Sequence, residues 1–221
     1  MRGHAPCVGV QGEYRGGMAT PALPTTTVPG SEPKVVDWVP GTSSAVMWNV
    51  AGLVITVAGL FVFALPVMLQ SASLSGSIQF GVVDLLVVVG VTVLLMVLHE
   101  AIHGVVMLGF GARPRFGAML VGHVVPALYA TADGHQFTRA RYLAIAAAPA
   151  VTISLVGFTA CFGPWAGYLV VPLAIHLGGC VGDGFAMLRA LREPSTTLCE
   201  DLRDGIRFHR AGVDVHGDRA R

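Results

Sequence analysis

The sequence predicts an all-α polytopic membrane protein: four transmembrane helices, a small cytoplasmic β-hairpin between spans two and three, and a second candidate β-hairpin near the C-terminus. Three observations carry this expectation. Of the 221 residues, 53% are hydrophobic and only 12% are charged, against about a quarter charged in soluble domains. Four apolar runs reach the roughly 20 residues a helix needs to cross a bilayer. The second of them carries His99, Glu100 and His103, ionisable groups that are costly in lipid and usually functional there. A net charge of +1 gives no case for a nucleic-acid partner.

In chain order, residues 1–44 read as a flexible tail. Met1 to Pro40 holds Gly-, Pro- and Thr-rich stretches and no apolar signal-peptide core, and Met18 is an alternative start. Residues 45–192 form the expected membrane unit, with spans at 46–69, 82–108, 142–162 and 165–188. The first connection, Gln70 to Ser77, is polar and uncharged, and Gly163-Pro164 between spans three and four reads as a tight turn. Between spans two and three, Arg115 to Gly122 and Ala127 to Thr131 look like two extended segments joined around Val124 to Pro126, hence a hairpin at the membrane surface. Residues 193–221 read as a cytoplasmic tail. Within it, Leu198 to Arg210 has the pattern of a hairpin turning at Asp204-Gly205, with a disordered basic segment as the alternative.

Basic residues orient the spans. Arg113, Arg115, Arg139 and Arg141 lie between spans two and three, and Arg189, Arg192, Arg203, Arg207 and Arg210 follow span four. The two short connections carry none. Both termini and the middle loop are therefore expected in the cytoplasm. The four cysteines, Cys7, Cys161, Cys180 and Cys199, form no paired motif and suggest no disulfide framework.

His99 and His103 are four apart, so on a helix they share a face and can offer two imidazoles to one zinc ion, with Glu100 beside them as a base for water. Zinc needs a third protein ligand. The position of a third histidine in an extended motif is Gly109, and no glutamate lies between Glu100 and Glu193. Up to the end of span four this leaves Asp133, in the loop, and Asp183, in the span. Depth favours Asp183: it lies roughly 22 Å along its helix from Tyr168, and His99 roughly 21 Å from Leu85, at 1.5 Å per residue. His176, Cys180 and Asp183 fall on one helical face. His176 is a candidate catalytic residue, bonding the substrate or its oxyanion, and Cys180 is a competing thiolate ligand. Gly178, Gly179, Gly182 and Gly184 permit close approach of another helix.

His99-Glu100-x-x-His103 in one span, with Asp183-Gly184 in a later one, resembles the site-2 protease group of intramembrane zinc metalloproteases. The chain looks more closely like a small bacterial and archaeal family described as "putative zincin peptidases". The stretches that carry the likeness are His99 to Gly104, Arg113 to Gly117, Arg141 to Pro149 and His176 to Gly184, within about Val82 to Arg210. Site-2 proteases carry an asparagine in a proline-rich segment before the Asp-Gly pair; here His176 takes that place without the prolines. The resemblance implies a protein of the prokaryotic cytoplasmic membrane that hydrolyses membrane-embedded or membrane-proximal peptides. The metal would be Zn2+, held by His99, His103 and Asp183, with Glu100 as general base toward a zinc-activated water. A metal-handling or transport protein using the same histidines is the alternative reading. A haem protein is disfavoured, because the two motif histidines share one helix.

Overall fold

A computed structural model of the chain describes residues 34–71, 81–121, 125–203 and 205–210. Four helices or helix pairs are long and apolar enough to cross a membrane: Val46–Gln70, Val82–Gly109, Arg139–Ala160 and Ala166–Leu191. They lie within α1 (Thr42–Ser71), α2 (Val82–Gly109), α3 (Arg139–Ala160) and the pair α4 (Ala166–Gly179) and α5 (Val181–Leu191). Only 6% of the most apolar stretch of α2 is buried inside the protein. Valines and leucines such as Val83, Leu86, Val93 and Leu94 point outward instead. A water-soluble chain does not leave an apolar surface of that extent uncovered, whereas lipid covers it at no cost.

Glycines and prolines shape the bundle. α1 packs along α4, where a Cβ on Gly59 would sit 3.1 Å from Ala174 Cα. The bundle interior is built on Phe63, Ile153, Leu173 and Ala174. The outer ends of α2 and α4 are tied together: the Tyr168 hydroxyl donates to Asp84 at 2.7 Å, and the Gly81 N–H donates to the same carboxylate at 2.8 Å. The fourth span differs from the continuous helix expected. Its regular geometry breaks at Cys180 (φ −68°, ψ 0°), between Gly179 and Val181, where successive glycines weaken helix preference. The hydrogen-bond ladder still bridges the break, from Cys180 N–H to His176 O and from Gly184 N–H to Cys180 O.

Two antiparallel sheets complete the fold. β2 (Arg115–Val121) and β3 (Val125–Thr131) form the middle-loop hairpin; residues 122–124 at its tip lie outside the described residues. β4 (Gln136–Thr138), β5 (Leu198–Leu202) and β6 (Gly205–Arg210) join β1 (Lys34–Trp38) in a sheet of order β1-β6-β5-β4. β5 and β6 form the C-terminal hairpin, Leu202 pairing with Gly205; Asp204 in its turn is outside the described residues.

The sequence reading needs correction at both ends. Lys34–Trp38, placed there in a flexible tail, is an edge strand. Val36 and Trp38 turn toward the core while Asp37 faces out to a two-pronged ion pair with Arg207, at 2.7 and 2.9 Å. The segment after residue 193, read as a tail, contributes Cys199, Ile206 and Phe208 to a core shared with Met107, Phe137, Tyr142, Ile145 and Ala190.

Candidate metal centre

α2 carries His99, Glu100 and His103 in its second half, and α5 brings Asp183 against them. His99 Nε2 lies 3.1 Å from His103 Nε2 and 3.2 Å from Asp183 Oδ2, and His103 Nε2 lies 3.5 Å from Asp183 Oδ1. Donors 2.0–2.1 Å from a tetrahedral zinc stand roughly 3.3 Å apart. Two imidazole nitrogens facing the two oxygens of one carboxylate at these separations suit such an ion. The three residues form one of two groups, among the described residues, able to hold a metal.

Local sequence explains how the imidazoles are aimed. Pro149 lies inside α3 and has no N–H, so the carbonyl four residues earlier, on Ile145, loses its helical donor. That carbonyl accepts instead from His103 Nδ1, at 3.0 Å, which leaves Nε2 as the free lone pair facing Asp183. His99 is held on its far side. Its Nδ1 lies 3.1 Å from Nε2 of buried His176 and 3.8 Å from Cys180 Sγ. His176 thus meets His99 on the side away from Asp183, and the sulfur of Cys180 lies on that side too, 3.7 Å from His176 Nε2. His99, His176 and Cys180 are the second donor group.

Glu100 projects into a cavity of about 190 Å3 whose lining includes His103, Asp183, Tyr129, Tyr142 and Asp201. The N–H of Ala130, on β3, donates to its carboxylate. Asp201 was not among the carboxylates considered from sequence, because it lies in the stretch read as a tail. β5 carries it to the cavity, where it bonds the Tyr142 hydroxyl. Burial pushes its carboxyl up to about 7, opposed by His103 and reinforced by Asp183, Asp133 and Glu100. The usable signal for the hairpin was the alternation in Leu198 to Arg210; nothing local marked Asp201 itself.

Helices long and apolar enough to cross a membrane, with a His-His-Asp donor set beside a glutamate, carry the donor chemistry of a zinc site. Residues 92–198, just under half of the chain, match the family described as "putative zincin peptidase". The description makes a zinc metallopeptidase the expected activity. Among curated proteins and among solved structures nothing matches.

Proposed function

We propose that the chain is a zinc-dependent intramembrane endopeptidase, with His99, His103 and Asp183 holding the ion and Glu100 as general base. The observation that carries this reading is the convergence of those three donors at tetrahedral spacing, beside a carboxylate that opens into the same cavity. When bound, zinc supplies Lewis acidity, lowering the pKa of a water toward about 7 and polarising a carbonyl. Glu100, steadied by the Ala130 N–H, takes a proton from the attacking water and returns it to the leaving amine. Ile145 and His176 act behind the site, fixing the rings of His103 and His99. His176, expected from sequence to reach the substrate, is read here as that positioning group.

The substrate is a membrane-embedded or membrane-proximal polypeptide, locally unwound because helical carbonyls are sequestered from attack. The outer edge of β3, whose Ala130 N–H points toward Glu100 rather than toward β2, receives it as an added strand. The arginine distribution puts both termini, both sheets and the metal end of α2 on the cytoplasmic side.

The test compares wild type with Glu100→Gln, purified in detergent. We expect about one zinc per chain in both, and cleavage of an apolar fluorogenic peptide reduced at least about 100-fold in the variant. A metal-handling role is the second reading, favoured by the group His99, His176 and Cys180. It predicts that Glu100→Gln keeps full function while Cys180→Ser loses it.

A further inference from the structure

The cavity around Glu100 shares three of its lining residues, Glu100, Leu128 and Tyr129, with a second space. A groove of about 500 Å3 runs between α2 and the β2–β3 hairpin, lined by Val97, Ala101, Phe116, Leu128 and Tyr129, with Glu100 at its inner end. Glu100, Leu128 and Tyr129 border both spaces, so the groove and the metal-side cavity meet at the proposed base. Among the described residues, Glu100 is the one charged side chain that lines the groove. Phe116, Val97 and Leu128 are all exposed.

Two glycines give the groove its walls. A Cβ on Gly104 would run into the Phe116 ring, within 2.8 Å of Cε1, so the ring lies directly on α2 one residue after the motif. A Cβ on Gly117 would likewise run into the Tyr129 ring, within 2.8 Å of its Cε1, so that ring lies flat across the hairpin from its paired residue. The rings thus frame a slot beside Ala101, the small residue that keeps its floor open.

We propose that this groove is the specificity pocket of the hydrolase, taking a large apolar side chain next to the scissile bond of the substrate. The inference rests on the protease reading above and supplies its substrate class. An apolar side chain entering from the lipid side meets the slot without crossing water. A strand laid along β3 then carries its backbone past Glu100. A charged side chain would lose its hydration against walls that offer it no partner.

The experiment uses full-length protein in lipid nanodiscs and two peptides that differ only in a central Phe or Ala. Cleavage is measured with wild type, Ala101→Trp and Val97→Phe. Binding is measured with the same two groove variants in a Glu100→Gln background, and zinc content is measured throughout. We expect wild type to prefer the Phe peptide at least tenfold. Ala101→Trp should abolish that preference while binding the Ala peptide within twofold and keeping its zinc. Val97→Phe, on an exposed position of α2, should act the same way and guards against misfolding of the first variant. Unchanged preference in both variants overturns the groove, as does a lipid acyl chain that occupies it in wild type without competing with the peptide. If binding preference follows the groove variants but no peptide is cut, the pocket stands and the protease reading falls.

Discussion

Asp201 shows how one side chain couples the soluble sheet to the membrane site. It hangs from β5, accepts from the Tyr142 hydroxyl, and shares a cavity with Glu100, His103 and Asp183. Its carboxyl is pushed up to about 7, chiefly by burial, well above the roughly 3.9 of an unfolded aspartate. The folded protein therefore holds this proton more tightly than the unfolded chain. The stabilisation that follows is fully present below about 4 and is lost as pH rises through about 7. Glu193 and Glu200 pull the other way. Their carboxyls are lowered, Glu193 mainly by Arg210 and Glu200 by His209 against the effect of burial. Their contributions fade only as pH falls below the ordinary glutamate range, outside the window from 5 to 8. We expect the thermal midpoint of chelator-treated protein to fall between pH 5.5 and pH 8. Asp201→Asn should flatten that slope, as read by differential scanning fluorimetry at each pH. An identical slope in the variant would assign the effect to another group.

At the scale of elements, the closest contact is between α1 and α4. Gly178 lies between His176 and Cys180 in sequence, and a methyl on it would collide with Thr56 Oγ1 and come within 2.6 Å of the Gly52 carbonyl oxygen. A backbone oxygen cannot rotate away, so α1 and α4 must part. Gly178→Ala would gain up to about 1 kcal/mol of helix preference, but overpacking costs about 1–3 kcal/mol or more. We expect net destabilisation, measured as an earlier midpoint in a denaturing-detergent titration. Zinc affinity should weaken as well, because His176 and Asp183 ride on the displaced segments. The elements around the site were legible in sequence where the signal is local. The i, i+4 histidines, the apolar runs and the alternation in Arg115 to Thr131 each need only a short window. Asp183 was reached by matching depths, and the Tyr168–Asp84 bond aligns the helix ends from which that depth was counted. β1 was not legible, because five residues of alternation beside a Pro-rich stretch gain meaning only from β6, whose Arg207 meets Asp37 across 170 residues of chain.

Over the whole molecule, the four-stranded sheet is part of the candidate site rather than an appendage. Cys199, Ile206 and Phe208 share one core with Met107, Phe137, Tyr142, Ile145 and Ala190. Two of those residues border the candidate metal centre: Ile145 accepts from His103, and Tyr142 lines the cavity beside Asp201. A chain ended at residue 192 would lose β5 and β6 and leave Phe137 and Tyr142 uncovered. It would also remove Asp201 and Leu202 from the cavity wall. Each fully buried large apolar side chain is worth about 1.5–3 kcal/mol, so losing Ile206 and Phe208 alone removes several kcal/mol from a total stability of about 5–15 kcal/mol. The four helices, satisfied by lipid and by one another, can persist without the sheet, but the cytoplasmic end of α3 loses its cover. We therefore expect the truncated protein to insert and purify with unchanged helix content by circular dichroism, yet to hold zinc at least tenfold more weakly than the full chain. Equal zinc affinity in the two would mean that the bundle alone positions His103, and that the C-terminal hairpin is dispensable to the site.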